Sequence, residues 1–388
     1  MEFSRRMEAF APGIFSVLAG MKRQRLENGQ DVIDLSVGAP DLPPAPHIME
    51  ALCRSAADEG NYVYALGDTP ELLAAAAAWY RRRYGVELES DEITSLLGSQ
   101  DGLAHLALTL ADPGDLVLVP DPCYPVFADG PRLAGAELYR MPLRRERGFV
   151  VDLRDIPSDA ARRAKLMVVS YPNNPTCGIA PPEFYRELVA FAKEFDIAVL
   201  HDNAYSELVF DGRHCGSFLQ VPGAKDVGVE FNSLSKTYAL AGARIGFALG
   251  NREMVGALRT LKSNLDYGMF LPVQKAAAAA LTGDQSCVES TRRAYERRRD
   301  VLVEGLCAAG WPIEKPPATM FVWAPLPAGF SESAAFTRAL LEASGVLVTP
   351  GSAFGPAGEG FVRLALVQSE ETLARAARQV AACGLLHK

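Results

Sequence analysis

Gly228-Val-Glu-Phe231, running directly into Asn232-Ser-Leu-Ser-Lys-Thr237, is the stretch on which the fold turns. A short run suited to a buried strand ends in hydroxyls and a lysine. Three runs upstream have the same form. Leu116-Val-Leu-Val119 leads into Pro120-Asp-Pro-Cys-Tyr-Pro125, and Leu166-Met-Val-Val169 leads into Ser170-Tyr-Pro-Asn-Asn-Pro-Thr176. Ile197-Ala-Val-Leu200 leads into His201-Asp-Asn-Ala-Tyr205, and Ile245-Gly-Phe-Ala-Leu249 is a fifth apolar run. Between them lie helical patterns such as Glu71 to Tyr84, rich in Ala and Leu and closed by Gly85. Continuous apolar runs alternating with helices predict an α/β domain with a mostly parallel central sheet buried on both faces. Ligands of such sheets bind beyond the carboxyl ends of the strands. The four polar ends are therefore expected to converge on one pocket.

Working outward, Pro40 to Pro46 is a proline-rich break after an N-terminal helix (Met1 to Asn28) and a strand-like segment (Val32 to Ser36). Beyond about residue 285 the pattern changes. A long charged helix, Thr291 to Ala309, precedes short strands at 319–324, 346–349 and 361–366 and helices at 331–343 and 370–383. The expected division is a large domain over 47–285 and a smaller α+β domain built from 1–46 and 286–388. Arg292, Arg293, Arg297, Arg298 and Arg299 read as a solvated helix face.

Composition narrows the function. The 388 residues carry 39 Lys+Arg against 47 Asp+Glu, a formal charge of −8, which argues against a nucleic-acid binder. No apolar run approaches the length of a membrane span. The seven cysteines are scattered, with no Cys-x-x-Cys pair, which points to a reducing, cytoplasmic setting. The five histidines show no metal-ligand spacing, so no metal is expected.

The strand ends together offer a lysine, a carboxylate, a phenol, an amide, an aromatic ring and several hydroxyls. Pyridoxal 5′-phosphate uses all of these. Its aldehyde takes a lysine, its pyridine nitrogen a carboxylate, its phenolate oxygen an amide and a phenol, its ring face an aromatic and its phosphate hydroxyls and an arginine. At this point the sequence resembles a known family. Ser233-Leu-Ser-Lys-Thr-Tyr-Ala-Leu-Ala-Gly-Ala-Arg-Ile-Gly246 is similar to the lysine motif of class I/II aminotransferases, which have the fold-type I architecture of pyridoxal-phosphate enzymes. Tyr171-Pro-Asn-Asn-Pro-Thr176, His201-Asp-Asn-Ala-Tyr-Ser-Glu207 and Phe361-Val-Arg-Leu-Ala365 resemble three further motifs of that family, in the same order. The resemblance runs from about residue 12 to 383. Asp31 to Pro46, Leu97 to Leu103 and Ser233 to Gly246 are most similar to the branch containing LL-diaminopimelate aminotransferases.

The resemblance implies roles. Lys236 is expected to form the Schiff base and then shuttle the substrate proton, with Asp202 on the pyridine nitrogen. Asn174 and Tyr205 are expected at the phenolate oxygen and Tyr124 on the ring face. Ser99, Gln100, Ser233, Ser235 and Arg244 are expected around the phosphate. Tyr62 is expected to reach the phosphate held by the neighbouring subunit of a homodimer with shared sites; Tyr64, two residues on, is the alternative. Arg363 is expected to clamp the substrate α-carboxylate, with Gly38 and Asn174 nearby. The implied activity moves an amino group between an L-amino acid and a 2-oxo acid, with LL-diaminopimelate or aspartate/alanine as candidate donors. Two other readings remain open: C–S β-elimination on the same fold, and a non-catalytic pyridoxal-phosphate-binding regulatory module. The chain departs from the family pattern at Cys177, where the loop reads Pro175-Thr-Cys-Gly178, and at Ala243, a small residue before Arg244.

Overall fold

The computed structural model describes residues 2–10 and 13–386; Met1, Ala11, Pro12, His387 and Lys388, which fall within the expected small domain, lie outside them. Among the described residues there are twelve strands: β1 (Ile33–Asp34), β2 (Ile93–Leu96), β3 (Leu116–Asp121), β4 (Glu137–Pro142), β5 (Ala164–Ser170), β6 (Ala198–Asp202), β7 (Gly228–Ser233), β8 (Gly246–Gly250), β9 (Phe321–Pro325), β10 (Val346–Leu347), β11 (Thr349–Pro350) and β12 (Phe361–Ala365).

Seven of them form one sheet in the order β2-β8-β7-β6-β5-β3-β4. All its pairings are parallel except those of β8, which is antiparallel to both β2 and β7. Strand periodicity sends alternate residues to opposite faces. Val117, Val119, Val168 and Phe231 pack with Leu103, Phe127 and Leu258 on one side. Leu116, Leu118, Met167, Val169 and Val199 pack with Trp79, Tyr80, Leu188 and Ala277 on the other. Both faces are buried, which is why the strands read as unbroken apolar runs.

The helix Pro70–Tyr84 shows how local chemistry sets these elements. Thr69 caps its start by accepting from the Leu72 amide, Pro70 occupies the first turn, and Gly85 ends it with a φ of 66°. The described residues show two strands that the apolar runs do not reveal, β2 and the edge strand β4. Within β2, Thr94 and Ser95 are buried because Asp68 receives the Thr94 hydroxyl and the Ser95 amide.

The remaining strands form two small sheets, antiparallel β11-β12-β9 and parallel β1-β10. Ile33 and Leu35 share a core with Leu302, Val322, Phe336, Leu364 and Leu373, so the N-terminal segment packs among residues more than 260 positions away. The arginine run corrects the solvated-face expectation. The charged helix spans Ser286–Ala308, and Arg293 and Arg297 are exposed, but Arg298 and Arg299 are buried. Arg298 grips Asp41 with both terminal nitrogens at 2.7 and 2.8 Å, and Arg299 grips Asp211 in the same way. The partners are 257 and 88 residues away in the chain, so the sequence pattern carries no trace of them.

Candidate active site

The carboxyl ends of β3, β5, β6 and β7 meet at one edge of the large sheet, where a cavity of about 310 Å³ opens. Tyr124 enters after β3, Asn174 after β5, Asp202 and Tyr205 at and after β6, and Ser233, Ser235 and Lys236 at and after β7. Ser99 and Gln100 come from the start of the helix Ser99–Leu110, Arg244 from the turn before β8, Gly38 from the segment after β1 and Arg363 from β12. Of the residues expected from the sequence, every one but Tyr62 lines this cavity. Tyr62 is exposed, and its hydroxyl donates to the Ala56 carbonyl at 2.9 Å.

The electrostatics are those of a desolvated, polar cleft. Burial lowers the Lys236 ammonium to about 8, helped by the positive charges of Arg363 and Arg244 and opposed by Asp202. The Lys236 amine donates to the Gly38 carbonyl at 3.2 Å. Burial raises the Asp202 carboxyl to about 6, against the pull of His201, the Ala204 amide and Lys236. Burial likewise holds the Tyr205 hydroxyl well above its ordinary value. Such opposed shifts in one cleft mark a functional site.

Arg363 is 1% exposed, and burial lowers it to about 10. It donates to Asn174 Oδ1 and to the Ser36 carbonyl, each at 2.9 Å, while its Nε has no protein partner among the described residues. Its guanidinium lies over Phe321, Phe354 and Phe15, 4.1, 4.7 and 5.6 Å from the ring centroids. Among the described residues no carboxylate pairs with it, so a buried cation stands ready for an anionic ligand. Phe15, Val37 and Phe321 also line the cavity, and no motif or spacing in the sequence singles them out. Gly38 is needed there, because a Cβ at that position would collide with the Phe321 ring.

At the opposite end, Gly98 precedes the helix Ser99–Leu110 with a φ of 85°, and a Cβ on it would lie 2.5 Å from Arg244 Nη2. Arg244 donates to the Leu97 and Ala241 carbonyls, each at 3.1 Å. The helix amides, the Ser233 and Ser235 hydroxyls and Arg244 bring together donors of the kind that can hold an anion. The Gln100 side chain also holds Tyr124, because its Oε1 accepts from the Tyr124 hydroxyl at 2.9 Å. Gly98→Ala is expected to push Arg244 off Leu97 and weaken retention of a phosphate-bearing ligand about tenfold with the fold retained, since a hydrogen bond to a charged group is worth roughly 1.5–3 kcal/mol. Equilibrium dialysis of the variant checks this.

His201 reads from the sequence as a packed polar residue with no catalytic pairing. In the fold it is packed against Glu230: its Nδ1 lies 2.9 Å from Glu230 Oε2, and neither side chain is exposed. Asp101, His105 and Asp266 also come together, with donor atoms within 4.8 Å of one another, but the Lys262 ammonium already bonds to both carboxylates.

Comparison with known proteins agrees with this geometry. The family model "Aminotransferase class I and II" matches residues 30–380. LL-diaminopimelate aminotransferase of Moorella thermoacetica is 47% identical over 380 residues, 97% of each chain. The enzyme of the same name from Syntrophobacter fumaroxidans is 46% identical over 377 residues, again 97% of each. Among solved structures, substrate-bound BacF from Bacillus subtilis superposes with a TM-score of 0.95 at 39% identity, covering 98% of both chains. A probable N-succinyldiaminopimelate aminotransferase from Thermus thermophilus superposes at 0.91 and 38% identity, over 96% of this chain and 100% of that one.

Proposed function

The chain belongs to the class I and II aminotransferases, and from that premise we propose that it transfers an amino group from an L-amino acid to a 2-oxo acid with pyridoxal 5′-phosphate held by the residues above. The observation that carries the reading is the convergence of Lys236, Asp202 and Arg363 on one cavity. The donor set fits the cofactor: a cradle that a Cβ at position 98 would fill, a buried carboxylate and a lysine that burial makes less basic.

When bound, the cofactor supplies an aldehyde that takes up an amine and a cationic ring that spreads the electron pair left when the Cα proton departs. The chain supplies the rest. Lys236 would be the attachment point, and its free amine would carry the proton between the substrate Cα and the cofactor C4′. A pKa near 8 leaves a usable fraction of that amine neutral at neutral pH. Asp202 holds the proton on the ring nitrogen. Asn174 and Tyr205 would donate to the phenolate oxygen, and Tyr124 would cover the ring face. Ser99, Gln100, Ser233, Ser235 and Arg244 hold the phosphate, the first two at the helix start. Arg363 would take the α-carboxylate as a planar fork, with Asn174 and the Gly38 backbone beside it.

LL-Diaminopimelate is the donor to try first, because the relatives named above carry it in their names. Incubation with it and 2-oxoglutarate is expected to yield glutamate in step with loss of the donor; ammonia without glutamate would overturn transamination. Division into units 47–285 and 1–46 with 286–388 is supported by the separate sheets, while the core around Ile33 and Leu35 also takes in Cys177, Ala204, Tyr205, Leu208 and Phe210 of the larger unit. A cytoplasmic setting is supported by seven free thiols; among the described residues no helix is long and apolar enough to cross a membrane.

A homodimer with shared sites is supported by an exposed apolar surface. Tyr62 packs edge-on against Phe270 at 5.3 Å, Tyr64 packs against Tyr267 at 5.9 Å, and Val63 and Leu66 lie beside them in the chain, all largely exposed. Mixing Tyr62→Ala with Lys236→Ala subunits is expected to restore up to about a quarter of wild-type activity, since half the dimers would be mixed and each would carry one intact site. No recovery despite subunit exchange measured by mass would remove Tyr62 from the shared site.

A further inference from the structure

Glu230 is a fully buried carboxylate with no arginine or lysine within salt-bridge distance among the described residues. It lies on β7, directly across from His201 on β6, and the next register pair is Asp202 with Phe231. Asp202 faces the cavity, so His201 and Glu230 sit on the reverse side of the same two strands, against the helices Pro70–Tyr84 and Pro182–Phe195.

What Glu230 touches is more telling than where it lies. Its carboxylate accepts from the Tyr80 hydroxyl at 2.8 Å, from the Ser217 hydroxyl at 2.8 and 2.9 Å and from the Phe218 amide at 2.8 Å. It also accepts from Asn203 Nδ2 at 3.2 Å, and His201 Nδ1 is 2.9 Å away. An ionised carboxylate only accepts, so Nδ1 carries its proton toward Glu230, and Nε2 is left to the Tyr185 hydroxyl at 3.4 Å. Burial raises Glu230, but His201, Asn203 and Ser217 together hold it below the ordinary carboxylate value. The titratable groups facing it are His201, Tyr80, Tyr84, Tyr185, Cys215 and, across the strand, Asp202.

Several of the groups so gathered belong to backbone that leads into the site. His201 immediately precedes Asp202, Asn203 lies two residues before Tyr205, and Glu230 itself lies six before Lys236. We propose that Glu230, paired with His201, is a positioning residue of the active site: from behind the sheet it fixes the strand ends that carry Asp202, Tyr205 and Lys236, and it places a fixed negative charge beneath Asp202. A bulk structural role needs no charge there. Buried carboxylates are costly, and a neutral amide or an apolar residue would fill the space with a smaller desolvation penalty.

This rests on the pyridoxal-phosphate reading, and the test separates the two. Glu230→Gln keeps the shape and, with its amide nitrogen turned toward Tyr80 and Asn203, leaves an oxygen to accept from His201 Nδ1 and the Phe218 amide. The variant is expected to fold and load pyridoxal phosphate, with kcat down tenfold or more and the donor KM within twofold. The pH midpoint of the visible band of the loaded enzyme is expected to fall by about half a unit or more, the scale set by one charge at roughly 10 Å in a medium of intermediate dielectric. Glu230→Gln combined with His201→Asn is expected to be no worse than the single Glu230→Gln, because a pair acting as a unit is lost once. A folded, loaded Glu230→Gln with wild-type kcat and midpoint would overturn the positioning role. Should Glu230→Gln not fold, His201→Asn decides on the same readouts: a moved midpoint with a lower kcat supports the role, and an unmoved one overturns it. A wild-type protein that takes up no pyridoxal phosphate would overturn the underlying reading instead.

Discussion

Replacing Lys236 with alanine is expected to leave a folded protein that never turns yellow with pyridoxal phosphate and has no measurable transaminase activity. On the proposed reading the lysine is both attachment point and proton carrier, so one substitution removes two functions that no neighbouring group supplies; the other basic side chains of the cavity, Arg244 and Arg363, are guanidinium groups and offer no amine. Borohydride reduction of the loaded wild type should remove the visible absorbance and leave a stable label. A label mapped by peptide mass to another lysine would refute the assignment. The pH dependence follows from the same environment. Because the folded value is lowered to about 8, the neutral, reactive amine grows in as pH rises toward and past that point. Uptake of pyridoxal phosphate by the apoprotein should therefore speed up through about pH 8 and level off above it; a midpoint near the ordinary lysine value of about 10.4 would mean that Lys236 is not desolvated.

Asp202→Ala is expected to bind the cofactor and lose turnover by about a thousandfold or more, the scale on which a single preorganised electrostatic partner acts. The same carboxylate gives a second, independent result in the apoprotein. Its folded value of about 6 lies above the unfolded 3.8, so the folded state holds a proton more tightly. That contribution is fully favourable below the unfolded value and is lost as pH rises through about 6, leaving a penalty of about 3 kcal/mol at neutral pH. Asp202→Asn apoprotein should accordingly be more stable than wild type at about pH 7 and lose the advantage by about pH 4, as read from denaturant midpoints. A variant equally stable at both pH values would place Asp202 in water. A cationic ring beside the carboxylate relieves this penalty, so loading the cofactor should stabilise the wild type more than the variant.

Much of this was legible because the strands are buried on both faces. Apolar runs such as Leu166 to Val169 stand out, and each ends where polar residues begin. That punctuation located the segments that carry Asn174, Asp202 and Lys236, and the family resemblance singled out those residues within them. What was not legible has a common cause. Asp68 makes the polar pair Thr94 and Ser95 fit a buried strand, Asp41 and Asp211 draw Arg298 and Arg299 out of solvent, and Glu230 claims His201. In each case the partner lies 26 or more residues away, and local pattern carries no information about it. Edge strand β4 was hidden for another reason: Glu137 and Arg140 lie on a strand with one free side, so it lacks the apolar signature of the central strands. Phe15 and Phe321 around Arg363 have no signature beyond being aromatic.

The reversed strand β8 has a further consequence. A parallel strand after β7 would have required a crossover to the far edge of the sheet before starting, and its first residues would lie about 17 Å from the cavity at 3.3–3.4 Å per residue. Because β8 runs backward, the chain leaves β7 and re-enters the sheet at the same rim, and the short excursion over 234–245 stays there throughout. Lys236 and two of the side chains proposed to hold the phosphate, Ser235 and Arg244, thus belong to one continuous ribbon only twelve residues long. Amide hydrogen exchange should register cofactor loading as a single stretch of slowed exchange over that ribbon, read in one or two peptides, while the ring and carboxylate contacts at Asp202 and Arg363 report separately from distant parts of the chain.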